Sequence, residues 1–469
     1  MSDIEVLSNE IPDLAHTRAI RARKLKLSIA TSLLIKPLAI IIPFITVPLL
    51  LKYLGNTRYG LYESIGALAV WLGLSNVGLG LGLINKLTET QISGDRELAR
   101  RYVTTIFVAT GGIALIGMLL LSAVTPLIDW AEVFPTDDQV ALRETPWAVW
   151  VVGLAVFLGA ITSIANAVYI GYQEIHRSNI WDGISKVSVL IGLVVLLVTP
   201  FGLVGAIAAS ALLPILVRLC NTIDLFAREK PWLRPRLAYF DRALLRELVM
   251  HGLAFFLLHL SFVGVFQADK LVIANVLGPA EVSGFAVIGR LFLIVLGVVM
   301  LVLQPLWPAY GEAFRRGDIA WIHRLVRITT GLSCLAYFAC GAVMFFFGDW
   351  VLALWIRGQS PPVSRMLILG MTATFVVRGW TECQAIALNG AGVLRPQIFF
   401  LGANGVLNVV FAIVFAKLGG VEGVAWSIPA SSLLTSTWGY PWIMRRYVYS
   451  RASKFDVGAA GAVPLAIAD

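Results

Sequence analysis

The chain has 469 residues, of which 58% are hydrophobic and only 14% are charged. Soluble domains carry about 25% charged residues, so this composition excludes an ordinary water-soluble fold. The apolar residues form continuous runs such as Val187–Val198 and Leu291–Leu306, whereas a transmembrane strand would alternate. Because lipid offers no hydrogen-bond partners, a segment of this kind must close its backbone hydrogen bonds as a helix. The sequence therefore predicts an all-α membrane protein.

The apolar runs predict about twelve transmembrane helices, since roughly 20 apolar residues cross a bilayer. In chain order they lie near residues 28–51, 61–84, 102–125, 147–170, 180–199, 203–225, 249–276, 283–306, 325–347, 364–388, 397–416 and 423–443. Most of the 37 lysine and arginine residues fall in the two termini and in every second loop. Because basic loops stay in the cytoplasm, this pattern predicts that both the N and C termini are cytoplasmic.

Weak internal repeats predict two halves of six spans each. Gly202–Ala208 resembles Gly420–Trp426, and Leu54-Gly55 resembles Leu277-Gly278. Halves of equal orientation are usual in transporters, with a site at the midplane between them. The predicted division is a cytoplasmic N-terminal segment 1–27, an N-lobe 28–226, a cytoplasmic linker 227–248, a C-lobe 249–443 and a cytoplasmic tail 444–469.

Motifs for soluble chemistry are absent from the sequence. It contains no phosphate-binding loop, no metalloprotease helix motif and no hydrolase elbow. None of its four cysteines forms a C-x-x-C pair. We therefore predict no cofactor, no metal site and no enzyme activity. The net charge of +9 is explained by loop residues that orient helices, and no nucleic-acid partner is predicted.

Charged residues inside the spans are the strongest pointers to function, because each costs about 2.5–3.5 kcal/mol on insertion scales. Six basic residues lie there: Lys36, Lys186, Arg218, Lys270, Arg290 and Arg378. Arg378 has Glu382 four residues later on the same helix face, which fits either a cavity pair or a structural salt bridge. An excess of buried cations over anions suits a phosphate-bearing substrate. The predicted substrate-binding residues are Arg378, Arg290, Lys36 and Lys186, although Lys36 and Lys186 could instead reach a membrane surface.

Several motifs together resemble the Wzx-type polysaccharide and O-antigen flippases of the multidrug/oligosaccharidyl-lipid/polysaccharide (MOP) exporter superfamily. They are Val47–Gly55 with Tyr59–Tyr62, Trp71–Gly80, Gly171–Gln173, Gln267–Lys270 with Leu277-Gly278, and Trp307–Tyr310. The resemblance runs from about Ile29 to Tyr447. One departure is Asn76, which stands where relatives often have aspartate, so no protonation role is expected there.

The resemblance implies two six-helix bundles in a MATE-like V shape around a central cavity. It implies movement of undecaprenyl-pyrophosphate-linked oligosaccharide repeat units across the bacterial inner membrane by alternating access, for O-antigen, capsule or exopolysaccharide. Arg290 and Arg378 would bind the head group, and Glu382 and Asp269 are the candidates for coupling to Na+ or H+. Membrane lipids and the polysaccharide polymerase machinery are the other implied partners.

Two alternatives remain open from the residues. A drug or cation antiporter of the same superfamily would use essential buried carboxylates. A membrane glycan polymerase or ligase would need a catalytic outer loop, and the longest predicted outer loop, residues 125–146, is too short to fold as a domain.

Overall fold

The computed structural model describes residues 27–28, 30–32, 34–35, 37–74, 79–356, 361 and 363–451. Over these residues the secondary structure is helical and includes no strand. Eight of the described helices are long and apolar enough to cross a membrane. The prediction of an all-α membrane protein is therefore confirmed. Lys36 and Asn76 lie outside the described residues.

The first half of the chain begins with a long bent helix. Helix α1 covers Leu38–Gly73 and bends at Gly55. The φ of Gly55 is +71°, a value that glycine adopts readily because it has no Cβ. The remaining helices of this half are α2 Leu79–Ser93, α3 Arg96–Val124, α4 Trp130–Val133, α5 Gln139–Gly171, α6 Ile175–Leu196, α7 Gly202–Ile207 and α8 Leu213–Asp224. A π-helical turn over Ala208–Leu212 joins α7 to α8.

In the second half, two predicted spans are interrupted. The span expected at 249–276 breaks at Gln267, and the last one breaks at Thr435. The backbone is also non-helical at Gly419 and Gly420, between the last two predicted spans. The first helix of this half begins at Arg242, inside the predicted linker. Its helices are α9 Arg242–Phe266, α10 Ala268–Val276, α11 Pro279–Arg316, α12 Ile319–Ile356, α13 Arg365–Gly390, α14 Arg395–Ala425, α15 Ser427–Leu434 and α16 Ser436–Ile443.

Positive backbone φ values recur along the chain at a nearly constant spacing. Over the described residues, eight positions have positive φ. They form four pairs whose members lie 218 to 223 residues apart: Gly55 with Gly278, Gly94 with Gly317, Gln173 with Gly392, and Gly202 with Gly420. Positive φ thus recurs in the same order along the sequence, as the predicted internal repeat requires.

One compact unit contains the described residues of segments 1–49, 75–127 and 146–253. Its core packs fully buried aliphatic side chains such as Leu83, Val103 and Val168. Inside it, the Tyr169 hydroxyl donates to Asn221 Oδ1 at 2.9 Å. The buried hydroxyl and amide therefore satisfy each other.

The second compact unit contains the described residues of segments 50–74, 128–145 and 254–469. Its core includes the fully buried Tyr310 and Leu388. A loop of this unit is tied to α1 because Arg58 Nε donates to Asp138 Oδ2 at 2.8 Å. The guanidinium holds the pKa of the Asp138 carboxyl below its ordinary value.

Candidate functional site

A buried group of polar side chains surrounds Glu63 in the second unit. Glu63 is only 3% exposed, and Lys270 Nζ donates to its Oε2 at 2.5 Å. Arg290 Nη2 donates to Oε1 at 2.9 Å, and the Tyr59 hydroxyl donates to the same oxygen at 3.0 Å. We call Tyr59, Glu63, Lys270 and Arg290 the Glu63 cluster.

A close backbone approach places the members of the Glu63 cluster side by side. Tyr59 and Glu63 are four residues apart and lie on one face of α1, just after the bend at Gly55. Between them, Gly60 packs so tightly that an added Cβ would lie 1.6 Å from the carbonyl oxygen of Pro279. Pro279 begins α11, the helix that carries Arg290. Glycine at position 60 therefore allows α1 to reach α11 closely enough for Glu63 to meet Arg290.

The Glu63 cluster holds two cations but only one carboxylate. Glu63 is buried, whereas the side chains of Lys270 and Arg290 are 21% and 32% exposed to solvent. Arg290 Nε is buried and has no hydrogen-bond acceptor among the described residues. Because an intramembrane cation is costly unless it is paired, the unmatched positive charge favours an incoming anion. Phosphate oxygens suit such donors, since arginine and lysine bind them through charge-assisted hydrogen bonds.

Arg378 lies in a different environment from Arg290. Its Nε donates to Glu382 Oε1 at 3.0 Å, and the two side chains are only 10% and 16% exposed. The guanidinium carbon lies 4.3 Å from the ring centre of Phe266 and 5.3 Å from that of Phe262. The charge of Arg378 is thus balanced by Glu382 and by contact with two aromatic rings. This environment is the one expected if Arg378 and Glu382 form a structural salt bridge. One oxygen, Glu382 Oε2, is buried without a hydrogen bond to any described residue.

Asp269 is 3% exposed. Its Oδ1 accepts a hydrogen bond from Asn408 Nδ2 at 2.9 Å. The next residue, Lys270, contacts Glu63 instead. Asp269 is therefore held by a neutral amide and lies outside the Glu63 cluster.

Lys186 belongs to the first unit and is paired locally. Its Nζ contacts the Asp182 carboxylate, which Arg218 Nη2 also approaches at 3.3 Å. All three side chains keep between 24% and 47% of their exposure. Of the predicted substrate-binding residues, the structure thus places Arg290 with Lys270, Arg378 with Glu382 and Lys186 with Asp182.

Sequence reasoning missed Glu63. The signal was present, because Glu63 is an acidic residue three positions into the predicted span that starts at Leu61. The sequence does identify Lys270 as an intramembrane cation, and the structure pairs it with Glu63.

A family model described as "Polysaccharide biosynthesis protein" matches residues 27–314. The chain belongs to this family. The resemblance to Wzx-type flippases of the MOP superfamily is thereby confirmed.

Two relatives match over nearly their whole length. A Yersinia pseudotuberculosis protein named for O-antigen export is 24% identical over 421 residues, covering 87% of this chain and 93% of that protein. A Salmonella typhi protein named for O-antigen transport is 21% identical over 443 residues, with 90% and 96% covered. Both names describe transport and neither describes catalysis.

Solved structures share the fold. An inward-facing multidrug resistance MATE family transporter of the MOP superfamily superposes with a TM-score of 0.69 at 18% identity, covering 89% of this chain and 99% of that one. A MOP superfamily transporter from Pyrococcus furiosus superposes with a TM-score of 0.62 at 16% identity, with 92% and 96% covered. The chain therefore has a MATE-like fold.

Proposed function

We propose that this protein is a flippase that moves undecaprenyl-pyrophosphate-linked oligosaccharide repeat units across the bacterial inner membrane by alternating access. The polysaccharide biosynthesis family and the relatives named for O-antigen export or transport support the pathway: O-antigen, capsule or exopolysaccharide. The observation that carries the substrate class is the Glu63 cluster, which presents two intramembrane cations around one carboxylate.

The proposed architecture has about twelve spans in two lobes, residues 28–226 and 249–443, with both termini in the cytoplasm. The four pairs of positive-φ positions support a two-fold repeat, and the basic loops support this orientation. In this arrangement the inner membrane contains the lipid tail while the head group enters a polar cavity.

In our proposal the pyrophosphate takes over hydrogen bonds that Glu63 accepts in the substrate-free protein. Lys270 and Arg290 are the partly exposed members of the cluster, and so they are the groups a head group can reach. A diphosphate offers several oxygens to these donors, while the single carboxylate offers only two. Glu63 thus keeps both cations paired between transport cycles and prevents an empty site from carrying two unmatched charges.

The other candidate residues take distinct proposed roles. Arg378 would line the cavity and reach the head group once its ion pair with Glu382 opens. Glu382 is a candidate for ion coupling, because its Oε2 accepts no hydrogen bond from any described residue. Asp269 is the second candidate for ion coupling. Lys36 and Lys186 would contact the head group or sugar. Contact with the polymerase machinery would deliver the flipped repeat unit to its next enzyme.

The test replaces the arginine of the cluster in cells whose own copy of the gene has been removed. Arg290→Gln is expected to lower delivery of glycan to the outer leaflet at least tenfold at normal protein level, measured by surface labelling and immunoblotting. The matched control is Arg316→Gln, because Arg316 is 76% exposed and pairs with exposed Glu312. Normal delivery by Arg290→Gln would remove this residue from the mechanism, and the Arg378→Ala variant tests the second arginine in the same way.

A drug or cation antiporter is the second candidate, since the superposed MATE transporter has the same fold. The net positive charge of the Glu63 cluster disfavours it, because a cationic drug would be repelled there. Drug resistance on overexpression, with normal glycan delivery in the deletion strain, would favour the antiporter.

A further inference from the structure

A groove of about 520 Å³ lies in the second unit, lined by α12, α13 and the segment around the end of α16. Cavities of about 300–1,000 Å³ commonly hold small ligands. The groove is open to the outside, because Gly331 of α12 and Trp380 of α13 line it and remain exposed. No member of the Glu63 cluster contributes to its lining, so it is a separate candidate site.

One end of the groove is basic. His323 and Arg327 come from the first three turns of α12, and Arg445 lies directly after the end of α16. The His323 ring meets the Tyr449 ring edge-on, with 4.8 Å between the ring centres, so these two side chains bridge the groove at this end. Two guanidinium groups and an imidazole thus line the same part of one cavity.

The two arginines of the groove are exposed, and neither forms a salt bridge with a carboxylate in the described part of the chain. The carboxylate of Glu382 on α13 is already paired with Arg378. The next arginine along the chain differs, because the Arg446 guanidinium carbon lies 5.2 Å from the ring centre of Trp442. Two unpaired guanidinium groups at one end of a cavity suit a phosphate, which accepts charge-assisted hydrogen bonds from arginine.

Much of the remaining lining is apolar and includes Val326, Cys334 and Met444. The helices beside the groove also carry exposed apolar side chains, since Leu335 of α12 is 63% exposed and Trp438 of α16 is 52% exposed. Large apolar side chains on an exposed surface indicate contact with a membrane or a partner rather than with water. An occupant of this groove must therefore combine a phosphate group with an apolar chain.

We propose that this groove binds one anionic phospholipid, with its phosphate at Arg327 and Arg445 and an acyl chain along Gly331 and Trp380. Basic pockets between transmembrane helices bind anionic lipid head groups in this way. A free phosphate ester would satisfy the arginines but leave the apolar part of the groove empty. A lipid with a neutral head group would fill the apolar part but leave two positive charges without a counter-ion. An anionic phospholipid satisfies both parts, and it would contact α12, α13 and the end of α16 together.

The binding test measures the affinity of phosphatidylglycerol for the purified full-length protein in a neutral detergent, by native mass spectrometry. We expect one saturable site, and the double variant Arg327→Gln/Arg445→Gln should raise its dissociation constant at least tenfold, as loss of charge-assisted hydrogen bonds implies. The matched control is Arg446→Gln, which removes the neighbouring arginine that stacks on Trp442 and should change the affinity less than twofold. Equal affinity in the wild type and the double variant would overturn the proposal.

A second variant tests the apolar part of the groove without changing its charge, and it also serves if the double variant does not fold. A Cβ added at Gly331 would have no heavy atom within 4 Å, so Gly331→Leu can enter the groove without a clash. We expect it to weaken phosphatidylglycerol binding at least fivefold. Gly112→Leu, at an exposed glycine of α3 with the same open space, should bind like the wild type. Unchanged binding by Gly331→Leu would overturn the placement of the acyl chain in this groove.

Two competitors separate the head group from the chain. Glycerol phosphate carries the phosphate without an acyl chain, and phosphatidylcholine carries the chains on a head group without net charge. We expect that neither displaces phosphatidylglycerol when it is present at equal concentration. Displacement by glycerol phosphate would show a site for free phosphate esters, and equal displacement by phosphatidylcholine would show an apolar groove without preference for charge. Either result would overturn the anionic-phospholipid site.

Discussion

Replacing Glu63 with glutamine should destabilise the protein more than any exposed charge change of the same type. The substitution leaves Lys270 and Arg290 without the carboxylate that contacts them at 2.5 and 2.9 Å. Removing one partner of a buried ion pair costs about 3–5 kcal/mol. Because the two cations keep 21% and 32% exposure, solvent screens part of this effect, and we expect about 3 kcal/mol, the lower end of that range.

A double variant separates the charge effect from a loss of packing. In Glu63→Gln/Lys270→Gln the formal charge of the cluster returns to its wild-type value, so the double variant should be more stable than Glu63→Gln alone by about 1–2 kcal/mol. The assay is reversible denaturant unfolding in detergent micelles. The control is Glu312→Gln, whose exposed pair with Arg316 should contribute less than about 1 kcal/mol.

Two results would refute this reasoning. The first is a Glu63→Gln protein as stable as the Glu312→Gln control, which would show that the ion pairs are energetically unimportant. The second is a double variant less stable than Glu63→Gln, which would show that Lys270 contributes through packing and not through charge.

Three further predictions concern packing and peripheral charge. Gly60→Ala should lower the free energy of unfolding by at least about 3 kcal/mol or prevent folding, because its Cβ would overlap the Pro279 carbonyl. Gly66→Ala, whose Cβ would enter open space, should leave the stability unchanged in the same unfolding assay. Asp138→Asn should cost about 1 kcal/mol at pH 7. The pKa of Asp138 is lower in the folded protein than in the unfolded chain, where it is about 3.9. The stability from its ion pair is therefore present above the unfolded pKa and is lost as the pH falls through the folded pKa. Wild type and variant should thus have converging stabilities in acid unfolding measurements. Lys186→Gln should lower glycan delivery about tenfold if Lys186 contacts the head group or sugar as proposed. A change of less than twofold in surface labelling would instead show that its local pair with an aspartate is its main contact.

The sequence predicts local features of this fold well. The membrane class follows from composition, and the Arg378–Glu382 pair follows from a spacing of four residues on one helix, at a distance of 3.0 Å in the structure. The repeated Leu-Gly motifs end in Gly55 and Gly278, which both adopt positive φ. These features depend on short stretches of chain, where periodicity and the conformational freedom of glycine are informative.

The Glu63 cluster could not be assembled from sequence, because its contacts join residues 207 and 227 positions apart. No local pattern encodes that pairing. It depends on the contact of Gly60 with Pro279, and an isolated glycine in an apolar run gives no indication of its partner. Likewise, the helix breaks at Gln267 and Thr435 contain neither proline nor glycine at the break itself, so an apolar span was predicted through each of them.

The central claim is that Lys270 and Arg290 bind the phosphate groups of a lipid-linked substrate. The most direct measurement is equilibrium binding of undecaprenyl pyrophosphate to the purified protein in nanodiscs, with undecaprenol, which lacks phosphate, as competitor. Our account predicts that undecaprenol does not compete and that Arg290→Gln weakens binding at least tenfold, while Arg316→Gln binds like wild type. Equal affinity in wild type and Arg290→Gln, or full competition by undecaprenol, would contradict it.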